Sequence, residues 1–250
     1  MKSKTQRVVL LIADISGYTK FITRTKMSLA HAQAIITELM KSIITEIDIP
    51  LRIVEVEGDA LFVYGAEGKD EYNWEEVISF ISEKIFLFFQ LFHKRLHELI
   101  HSNMCHCGAC DGADHLKLKV IVHIGEVLFH KIDRFSRLSG PDVILTHKLL
   151  KNSVDSDQYM VMTEMTYAEL SKYKHFEVEK RVEEYEHIGK VNLYVHYPNT
   201  VHFAPESLEN KYSEVSIYRK LRQTLQIVMN GMLMNLGLKS VPKFHHLSKL

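Results

Sequence analysis

The segment RIVEVEGDALFVYG, residues 52–65, constrains the fold more than any other part of the sequence. Two runs rich in β-branched and aromatic residues flank Glu57, Gly58 and Asp59, which predicts two strands folded back on each other. A second run, residues 8–13, is short and β-branched and ends at Asp14. It is too short to span a membrane and predicts a further strand.

Asp14 and Asp59 each lie where a predicted strand ends or turns. Adjacent strands would bring the two carboxylates together, and paired carboxylates are typical ligands of hard cations such as Mg²⁺ or Mn²⁺. Carboxylates at strand ends are also common turn formers. From spacing alone, both interpretations stay open.

Helices and strands alternate along the rest of the chain. Hydrophobic spacing predicts helices at residues 29–47, 74–101, 141–151 and 164–172, with Ser28 capping the first of them and a short helix soon after Asp14. Strands are predicted at 116–124, 126–131, 159–163, 176–185 and 191–197, the first two broken at Gly125. The pattern predicts an α/β protein with a mixed sheet.

Three segments, in this order, resemble the catalytic domain of class III adenylate and guanylate cyclases over residues 8–151. VVLLIADISGYTKFI resembles the first strand with its metal-binding Asp, and EVEGDALFVYG resembles the hairpin with the second metal ligand. VIVHIGEVLFH followed by SGPDVILTHKLL resembles the strand pair and helix that complete the site. A little-characterised bacterial family of cyclase-like proteins is similar in more detail, because it shares the CxCxxC insert and the GPDVILxHxLLKN wording.

The resemblance implies an α+β sandwich with a ferredoxin-like mixed sheet. It implies attack of a ribose 3′-hydroxyl on the α-phosphate of ATP or GTP, with release of pyrophosphate. Asp14, Asp59 and the carbonyl of Ile15 would hold two Mg²⁺ or Mn²⁺ ions, which offset charge on the phosphates. The backbone amides of Ser16, Gly17 and Tyr18 would cradle the phosphates at a helix start. Without the resemblance, Gly17 is a plain turn glycine.

The chain departs from the family at the transition-state positions. Active members carry an Asn and, four residues later, an Arg in the helix after Gly140, where this chain has Ile144 and Lys148. Lysine keeps the positive charge but lacks the planar fork of arginine, so Lys148 is the remaining candidate catalytic residue. Asp142 and His147 could substitute, although a helix cap and a solvated helix face also explain them.

The base-selecting positions are also unusual. Glu55 stands where guanylate-type members carry Glu and could accept hydrogen bonds from guanine. Its partner position holds Arg137, which matches neither the adenylate nor the guanylate pattern. Ile121 replaces a common glycine, which alters the substrate fit. Glu55 and Arg137 are otherwise ordinary charged residues of a strand and a loop.

Composition limits the partners. Lys and Arg together number 31, as do Asp and Glu, and this balance argues against a nucleic-acid binder held by bulk charge. The start MKSKTQR has no secretory pattern, and no segment approaches the length of a membrane span. These features predict a cytoplasmic protein.

A cysteine-rich insert at about 101–115 is independent of the cyclase resemblance. Cys105, Cys107 and Cys110 are closely spaced thiols that predict a structural Zn²⁺ site, because cytosolic cysteines remain reduced. The candidates for the fourth ligand are His101, His106 and His115. Reactive thiols and an unmetallated loop are the alternatives.

Residues 1–200 are predicted to form the cyclase-like domain, and residues 201–250 a C-terminal extension. The extension has apolar residues three or four apart up to Gly237, which predicts an amphipathic helix covering the domain or a second subunit. Its Met-rich end and the lysines after it could instead contact a membrane surface.

Two functions follow from the sequence. The first is a class III cyclase that acts as a homodimer, since the family builds its site between subunits with Asp14 and Asp59 from one chain and Lys148 from the other. The second is a catalytically inactive cyclase-homology domain that serves as a regulatory or protein-interaction module. The retained aspartates favour the first, and Ile144 with Lys148 favours the second.

Overall fold

The computed structural model of the protein describes residues 5–24, 29–68, 72–102, 108–133 and 135–198, together with 225, 229, 232 and 233. The strands of this part are β1 (Thr5–Ser16), β2 (Leu51–Glu57), β3 (Ala60–Ala66), β4 (Lys117–Ile132), β5 (Phe135–Ser139), β6 (Tyr159–Thr163), β7 (Glu179–Tyr185) and β8 (Gly189–His196). Its α-helices are α1 (Tyr18–Arg24), α2 (Leu29–Ile44), α3 (Trp74–Ser102), α4 (Gly108–Gly112), α5 (Pro141–Lys148) and α6 (Glu164–Leu170). Short 3₁₀ turns follow α4 and α5.

The eight strands form one mixed sheet in the order β2-β3-β1-β4-β6-β8-β7, with β5 paired to β4 outside this path. The β4–β6 pair is parallel and the other pairs are antiparallel. This confirms the predicted α+β fold with a mixed sheet and flanking helices. The hairpin predicted at residues 52–65 is β2 and β3.

The strand β1 is central and is buried on both faces. Val9, Leu11 and Ala13 face a core that α2 and α3 cover, whereas Val8 and Leu10 alternate with them on the opposite face. That second face is covered by α5 through Leu145 and by the following 3₁₀ turn through Leu149. Burial on both sides explains why the sequence shows an unbroken apolar run instead of an alternating one.

The strand break predicted at Gly125 is wrong, since β4 runs without interruption from Lys117 to Ile132 and turns only at Asp133. Gly125 is tolerated inside the strand because the Asp142 carboxylate fills the space that a side chain would need. A Cβ at Gly125 would lie 2.4 Å from Cγ of Asp142.

The C-terminal extension falls almost wholly outside the described residues. Of its predicted helix, Leu225, Met229, Met232 and Leu233 are described and are helical, and the first three are exposed. Ser28, the predicted cap of α2, is also outside the described residues. Within the described part of the chain, no helix combines the length and apolarity needed to cross a bilayer.

Candidate functional site

Asp14 and Asp59 come together at one end of β1. Asp14 is the third residue from the end of β1 and is paired in register with Ala60 of β3. Asp59 lies in the β2–β3 turn, where its carbonyl accepts a hydrogen bond of 3.2 Å from the backbone N–H of Ile15. This hydrogen bond holds the β2–β3 turn, which carries the Asp59 carboxylate, against the end of β1, which carries the Asp14 carboxylate.

The proximity of the two carboxylates changes the acidity of Asp59. Partial burial and then the negative charge of Asp14 raise the pKa of Asp59 to about 6, against the opposing effects of a backbone hydrogen bond and the Lys119 charge. Repulsion between two carboxylates is the condition that a divalent cation relieves, because it favours the charged form of both. The donor set and its charge thus fit a hard metal ion.

Lys119 is the third charged group at this site and was not among the site residues predicted from the sequence. It is paired in register with Asp14 across β1 and β4, and its Nζ lies 2.8 Å from Oδ2 of Asp14. The side chains are only 21% and 14% exposed, respectively. Burial acts to lower the pKa of Lys119, but the hydrogen bond and charge of Asp14 outweigh it and raise the pKa. Lys119 is therefore a fixed cation beside the two carboxylates.

The predicted phosphate cradle follows immediately in the chain. Ser16 is buried at the end of β1, Gly17 has φ +85°, and α1 begins at Tyr18. The left-handed conformation of Gly17 favours glycine, and a Cβ there would lie 3.3 Å from the carbonyl oxygen of His115. Gly17 is thus required by the backbone of this turn, which lies next to the carboxylates in the chain.

Glu55 and Arg137, the two residues predicted to select the base, contact each other. Nη1 of Arg137 on β5 donates to Oε2 of Glu55 on β2 at 3.2 Å, and both side chains are more than 40% exposed. An exposed ion pair of this kind is weak, so Glu55 can exchange partners at small cost.

The helix α5 carries Ile144 and Lys148, which stand at the positions that the resemblance assigns to transition-state stabilisation. Ile144 is 56% exposed, and Nζ of Lys148 donates to the backbone carbonyl of Glu186 in the β7–β8 turn at 3.1 Å. His147 is exposed, and its ring packs edge-on against Phe62 with 4.9 Å between ring centroids. Within the chain, Lys148 therefore contacts the β7–β8 turn.

Asp142 anchors α5 to β4. Its Oδ2 accepts from the backbone N–H of Glu126 at 2.7 Å, and its Oδ1 lies 3.1 Å from Nε2 of His123. Among the described residues, no side chain donates or accepts a capping hydrogen bond at the start of α5, where Gly140 is the cap residue. Both carboxylate oxygens are thus committed to holding the helix, which leaves Asp142 poorly suited to replace the Asn of active cyclases.

A buried polar network that the sequence analysis missed continues from Asp142. Burial lowers the pKa of His123 despite the opposing hydrogen bond and charge of Asp142, so the ring is neutral at pH 7. A neutral ring that donates from Nε2 to Asp142 must accept at Nδ1, here from the Thr163 hydroxyl at 2.9 Å. Thr166 accepts from the N–H of Ile124 at 2.8 Å and lies 2.9 Å from Thr163, so it donates to Thr163. Every polar group in this network therefore has a hydrogen-bond partner, which is typical of a buried network that stabilises the fold.

The cysteine-rich insert is described in part. Cys105, His106, Cys107 and the side chain of His101 lie outside the described residues. The side chain of His115 is 74% exposed, and its Nε2 lies 3.8 Å from Oδ1 of Asp114. Among the described residues, no group of three or more His, Cys, Asp or Glu side chains is arranged to hold a metal ion.

Cys110 lies beside a histidine that the sequence analysis did not select. It is half-buried on α4, and its Sγ is 3.6 Å from Nδ1 of His31 on α2. Burial lowers the pKa of His31, so its ring is neutral at pH 7. The two residues are 79 positions apart in sequence, which is why spacing could not reveal the contact.

Sequence comparisons give two matches. A protein-family model described as "Protein of unknown function (DUF2652)" matches residues 36–159. The uncharacterized protein Rv2561/Rv2562 of Mycobacterium tuberculosis (strain ATCC 25618 / H37Rv) is 30% identical over 115 residues. That match covers 46% of this chain and 51% of the relative, so it spans about half the length of the relative.

Structure comparisons match nucleotidyl cyclase domains. The adenylyl cyclase CyaB from P. aeruginosa has a TM-score of 0.59 at 10% identity and covers 80% of this chain and 97% of its own. The guanylyl cyclase Cya2 has a TM-score of 0.57 at 14% identity, covering 78% and 94%. The guanylate cyclase domain of RhGC from Catenaria anguillulae, in complex with GTP, has a TM-score of 0.52 at 14% identity, covering 78% and 99%. At these identities the similarity establishes the fold, which is that of a nucleotidyl cyclase domain.

Proposed function

We propose that this protein is a class III nucleotidyl cyclase-like protein that binds a divalent cation and a nucleoside triphosphate at the end of β1. The observation that carries the proposal is the convergence of Asp14, Asp59 and Lys119 on one point of a cyclase-type sheet. Two carboxylates and a cation side by side are suited to a metal–triphosphate complex, which carries charges of both signs.

The carboxylates of Asp14 and Asp59 would hold Mg²⁺ or Mn²⁺, with the carbonyl of Ile15 as a further ligand. The raised pKa of Asp59 supports this assignment, because it reflects partial burial of the carboxyl group and then repulsion from the Asp14 charge, both of which a bound cation would offset. When bound, the metal would neutralise phosphate charge and favour ionisation of an attacking hydroxyl.

The chain itself would then hold the triphosphate. The backbone amides of Ser16, Gly17 and Tyr18 would donate hydrogen bonds to phosphate oxygens. Lys119 would turn from Asp14 towards the phosphates once the metal takes over the Asp14 charge. Glu55 would contact the base after its weak pair with Arg137 opens.

A homodimer would complete such a site, with Lys148 coming from the second copy. Within one chain the Lys148 ammonium donates to the carbonyl of Glu186 in the β7–β8 turn, an exposed contact that it would give up to reach a phosphate in the second copy. Lysine would supply charge to the transition-state phosphate but no bidentate contact.

The second candidate function is a regulatory or protein-interaction module that binds the metal–triphosphate complex without turnover. Ile144 favours this second candidate, because it is 56% exposed and offers no polar group at the position where active cyclases carry an Asn. The commitment of both Asp142 oxygens to β4 and His123 favours it further, because it removes the nearest polar substitute.

Calorimetric titration of ATP or GTP in the presence and absence of Mn²⁺ tests the common part of both candidates. We expect binding that requires Mn²⁺ and that Asp14→Asn and Asp59→Asn each weaken at least about tenfold, or ~1.4 kcal/mol. Glu83→Gln is the matched control, because Glu83 is an exposed carboxylate on α3, which covers the opposite face of the sheet. Metal-independent binding, or equal affinity of all variants, would contradict the proposal.

Product analysis then separates the two candidates. Protein incubated with Mn²⁺ and ATP or GTP is analysed for cyclic nucleotide and pyrophosphate by chromatography. A cyclic product that disappears in Asp14→Asn supports the cyclase. Metal-dependent binding without any cyclic product supports the binding module.

We also propose a structural Zn²⁺ ion in the cysteine-rich insert, bound by Cys105, Cys107 and Cys110. Three thiols within six residues of a cysteine-rich segment are good zinc ligands, and a tetrahedral site needs one more. Elemental analysis of protein purified without chelator tests it, with about one zinc ion per chain expected.

A further inference from the structure

The strand β7 forms one border of the sheet, and its charges are arranged symmetrically. Within the described part of the chain β7 pairs only with β8, so its other side is an open strand edge. Its sequence is EKRVEEY, with two cations directly before Val182 and two carboxylates directly after it. Val182 itself is 62% exposed. An open edge of this kind is a template for pairing with a further strand.

The order of these charges makes β7 complementary to a second copy of itself. In an antiparallel pair centred on Val182, Lys180 is opposite Glu184 of the second copy, and Arg181 is opposite Glu183. The two-fold axis repeats each contact. Opposite charges that face each other across two strands stabilise the pair, and like charges destabilise it. Charged side chains at an edge usually deter association, but in this register each one meets its opposite.

Other registers of the same two strands lack this complementarity. Moving the centre of the pair one residue in either direction sets Glu183 or Arg181 opposite its own copy. A centre between two residues keeps only one type of opposite-charge pair, and it sets Glu179 opposite a carboxylate. Because side-chain matching sets the register of a strand pair, the charge pattern selects the register centred on Val182.

The side chains of Lys180 and Glu184 are available for contacts with another chain. Both are exposed on β7, and neither forms an ion pair among the described residues. Within the chain the Lys180 ammonium lies 5.4 Å from the centre of the Tyr194 ring. Pairing of Lys180 with Glu184 of a second copy would therefore break no ion pair within the described residues.

The charges next to Val182 are held in place by Ser153. Nη1 of Arg181 donates to the Ser153 carbonyl at 3.1 Å, and the Glu183 carboxylate accepts from the Ser153 N–H at 2.9 Å. These side chains lie beside the axis of the strand pair. Holding them before association lowers the conformational entropy that association would cost.

We propose that β7 is an interface at which two copies of this chain join their sheets, antiparallel and centred on Val182. It differs from the homodimer of the proposed function and does not depend on it, because β4, β6 and β8 separate β7 from β1, whose end carries the candidate site. A single strand pair is a small interface, so we expect a dissociation constant on the order of 10 µM.

Sedimentation of the full chain between about 1 and 100 µM, without metal or nucleotide, tests the interface. The wild type should associate with rising concentration, and Lys180→Glu should weaken this association about tenfold or more, because like charges then face each other on both sides of the axis. Adding Glu184→Lys to Lys180→Glu should restore it, since the reversed pair is again complementary. Lys41→Glu makes the same charge change on α2, where Lys41 is exposed, and should have no effect.

A covalent cross-link gives a second readout. Val182→Cys should form a disulfide-linked dimer on oxidation with copper phenanthroline, because opposite residues of an antiparallel pair have Cα atoms about 4.5–5.5 Å apart. Ile188→Cys is the matched control, since Ile188 lies in the β7–β8 turn, far from its own copy in this register. The native cysteines are the same in both variants.

Two results would overturn the interface. One is association that Lys180→Glu leaves unchanged, or a wild type that stays monomeric up to about 100 µM. The other is a yield of covalent dimer that is no higher in Val182→Cys than in Ile188→Cys. Mn²⁺–ATP binding is a separate measurement, so the failure of this interface and the failure of the proposed function can be told apart.

Discussion

The ammonium of Lys119 on β4 lies 2.8 Å from Oδ2 of Asp14, the residue of β1 that pairs with Lys119 in register. This ion pair is mostly shielded from water, so each charge depends on the other more than at the surface. Any cation that binds Asp14 must compete with Lys119 for the carboxylate. The pair therefore couples metal binding to the position of a lysine that would contact phosphate.

This coupling makes Lys119→Met a variant with opposite effects on two ligands. Without Lys119, Asp14 should bind Mn²⁺ more tightly in the absence of nucleotide, because the competing cation is gone. Affinity for ATP in the presence of Mn²⁺ should fall about tenfold or more, ~1.4 kcal/mol, since a phosphate contact is lost. Mn²⁺ binding by electron paramagnetic resonance and ATP binding by calorimetry measure the two effects.

Lys172→Met serves as the control, because Lys172 is an exposed lysine after α6 that pairs only locally with Glu169. It should leave both affinities unchanged. If Lys119→Met weakens Mn²⁺ binding and ATP binding alike, Lys119 supports the fold of the site and does not compete with the metal.

The raised pKa of Asp59 predicts a specific pH dependence. In the folded protein this pKa is about 6, above the usual value near 4, so the folded state binds the proton more tightly than the unfolded state. Protonation of Asp59 therefore adds to the free energy of unfolding. This contribution is fully present below about pH 4 and is lost as the pH rises through about 6. Metal-free protein at pH 7.5 therefore carries an unfavourable charge at Asp59.

Asp59→Asn should remove this charge and raise the melting temperature of the metal-free protein at pH 7.5, with little change at pH 4.5. The gain is about 1 kcal/mol after allowing for the partial exposure of Asp59, or about 2–4 °C. For the wild type, Mn²⁺ affinity should decrease below about pH 6, where a proton competes for Asp59. A larger stabilisation at pH 4.5 than at pH 7.5 would contradict the assignment.

The Glu55–Arg137 pair predicts a change in base preference. Arg137→Ala frees the Glu55 carboxylate, so binding of GTP relative to ATP should increase several-fold if Glu55 accepts hydrogen bonds from guanine. Stability should change by less than about 0.5 kcal/mol, because the pair is exposed. Competition binding with the two nucleotides measures the preference, and Glu55→Gln should remove it. An unchanged GTP-to-ATP ratio in Arg137→Ala would exclude Glu55 as the base-selecting residue.

Local signals in the sequence were enough to predict the hairpin β2–β3, the strand β1 and the meeting of Asp14 with Asp59. Each of these depends on short-range periodicity and on carboxylates at strand ends. The side chain at 119 could not be assigned to the site in the same way, because its contact with Asp14 depends on the register between β1 and β4. Register is set by the packing of the whole sheet.

The strand break predicted at Gly125 was wrong because the sequence pattern around a glycine does not show what packs against it. A glycine in an apolar run indicates a break only when no other part of the chain fills its space, and here the filling residue, Asp142, comes 17 positions later in the sequence. His31 was missed for the same reason, since its partner Cys110 is 79 positions away. Contacts between distant elements, and not local propensity, decide both cases.

The close approach of Asp142 to Gly125 predicts a strong coupling between the two positions. Gly125→Ala would place a Cβ 2.4 Å from Cγ of Asp142 and should destabilise the protein by about 2 kcal/mol or more, because the helix α5 must shift. Asp142→Ala should cost about 1–3 kcal/mol, since the N–H of Glu126 and Nε2 of His123 lose their acceptor. Unfolding in urea measures both values.

The double variant decides whether these costs have one cause. Removing the Asp142 side chain also removes the obstacle to a Cβ at position 125, so the two changes together should cost clearly less than their sum. Gly112→Ala is the control, because its Cβ would make an ordinary contact of 3.6 Å with Phe21 and should change stability by no more than about 1 kcal/mol. Additive costs in the double variant would mean that Asp142 does not fill the Gly125 space in solution, and that another contact fixes α5 on the sheet.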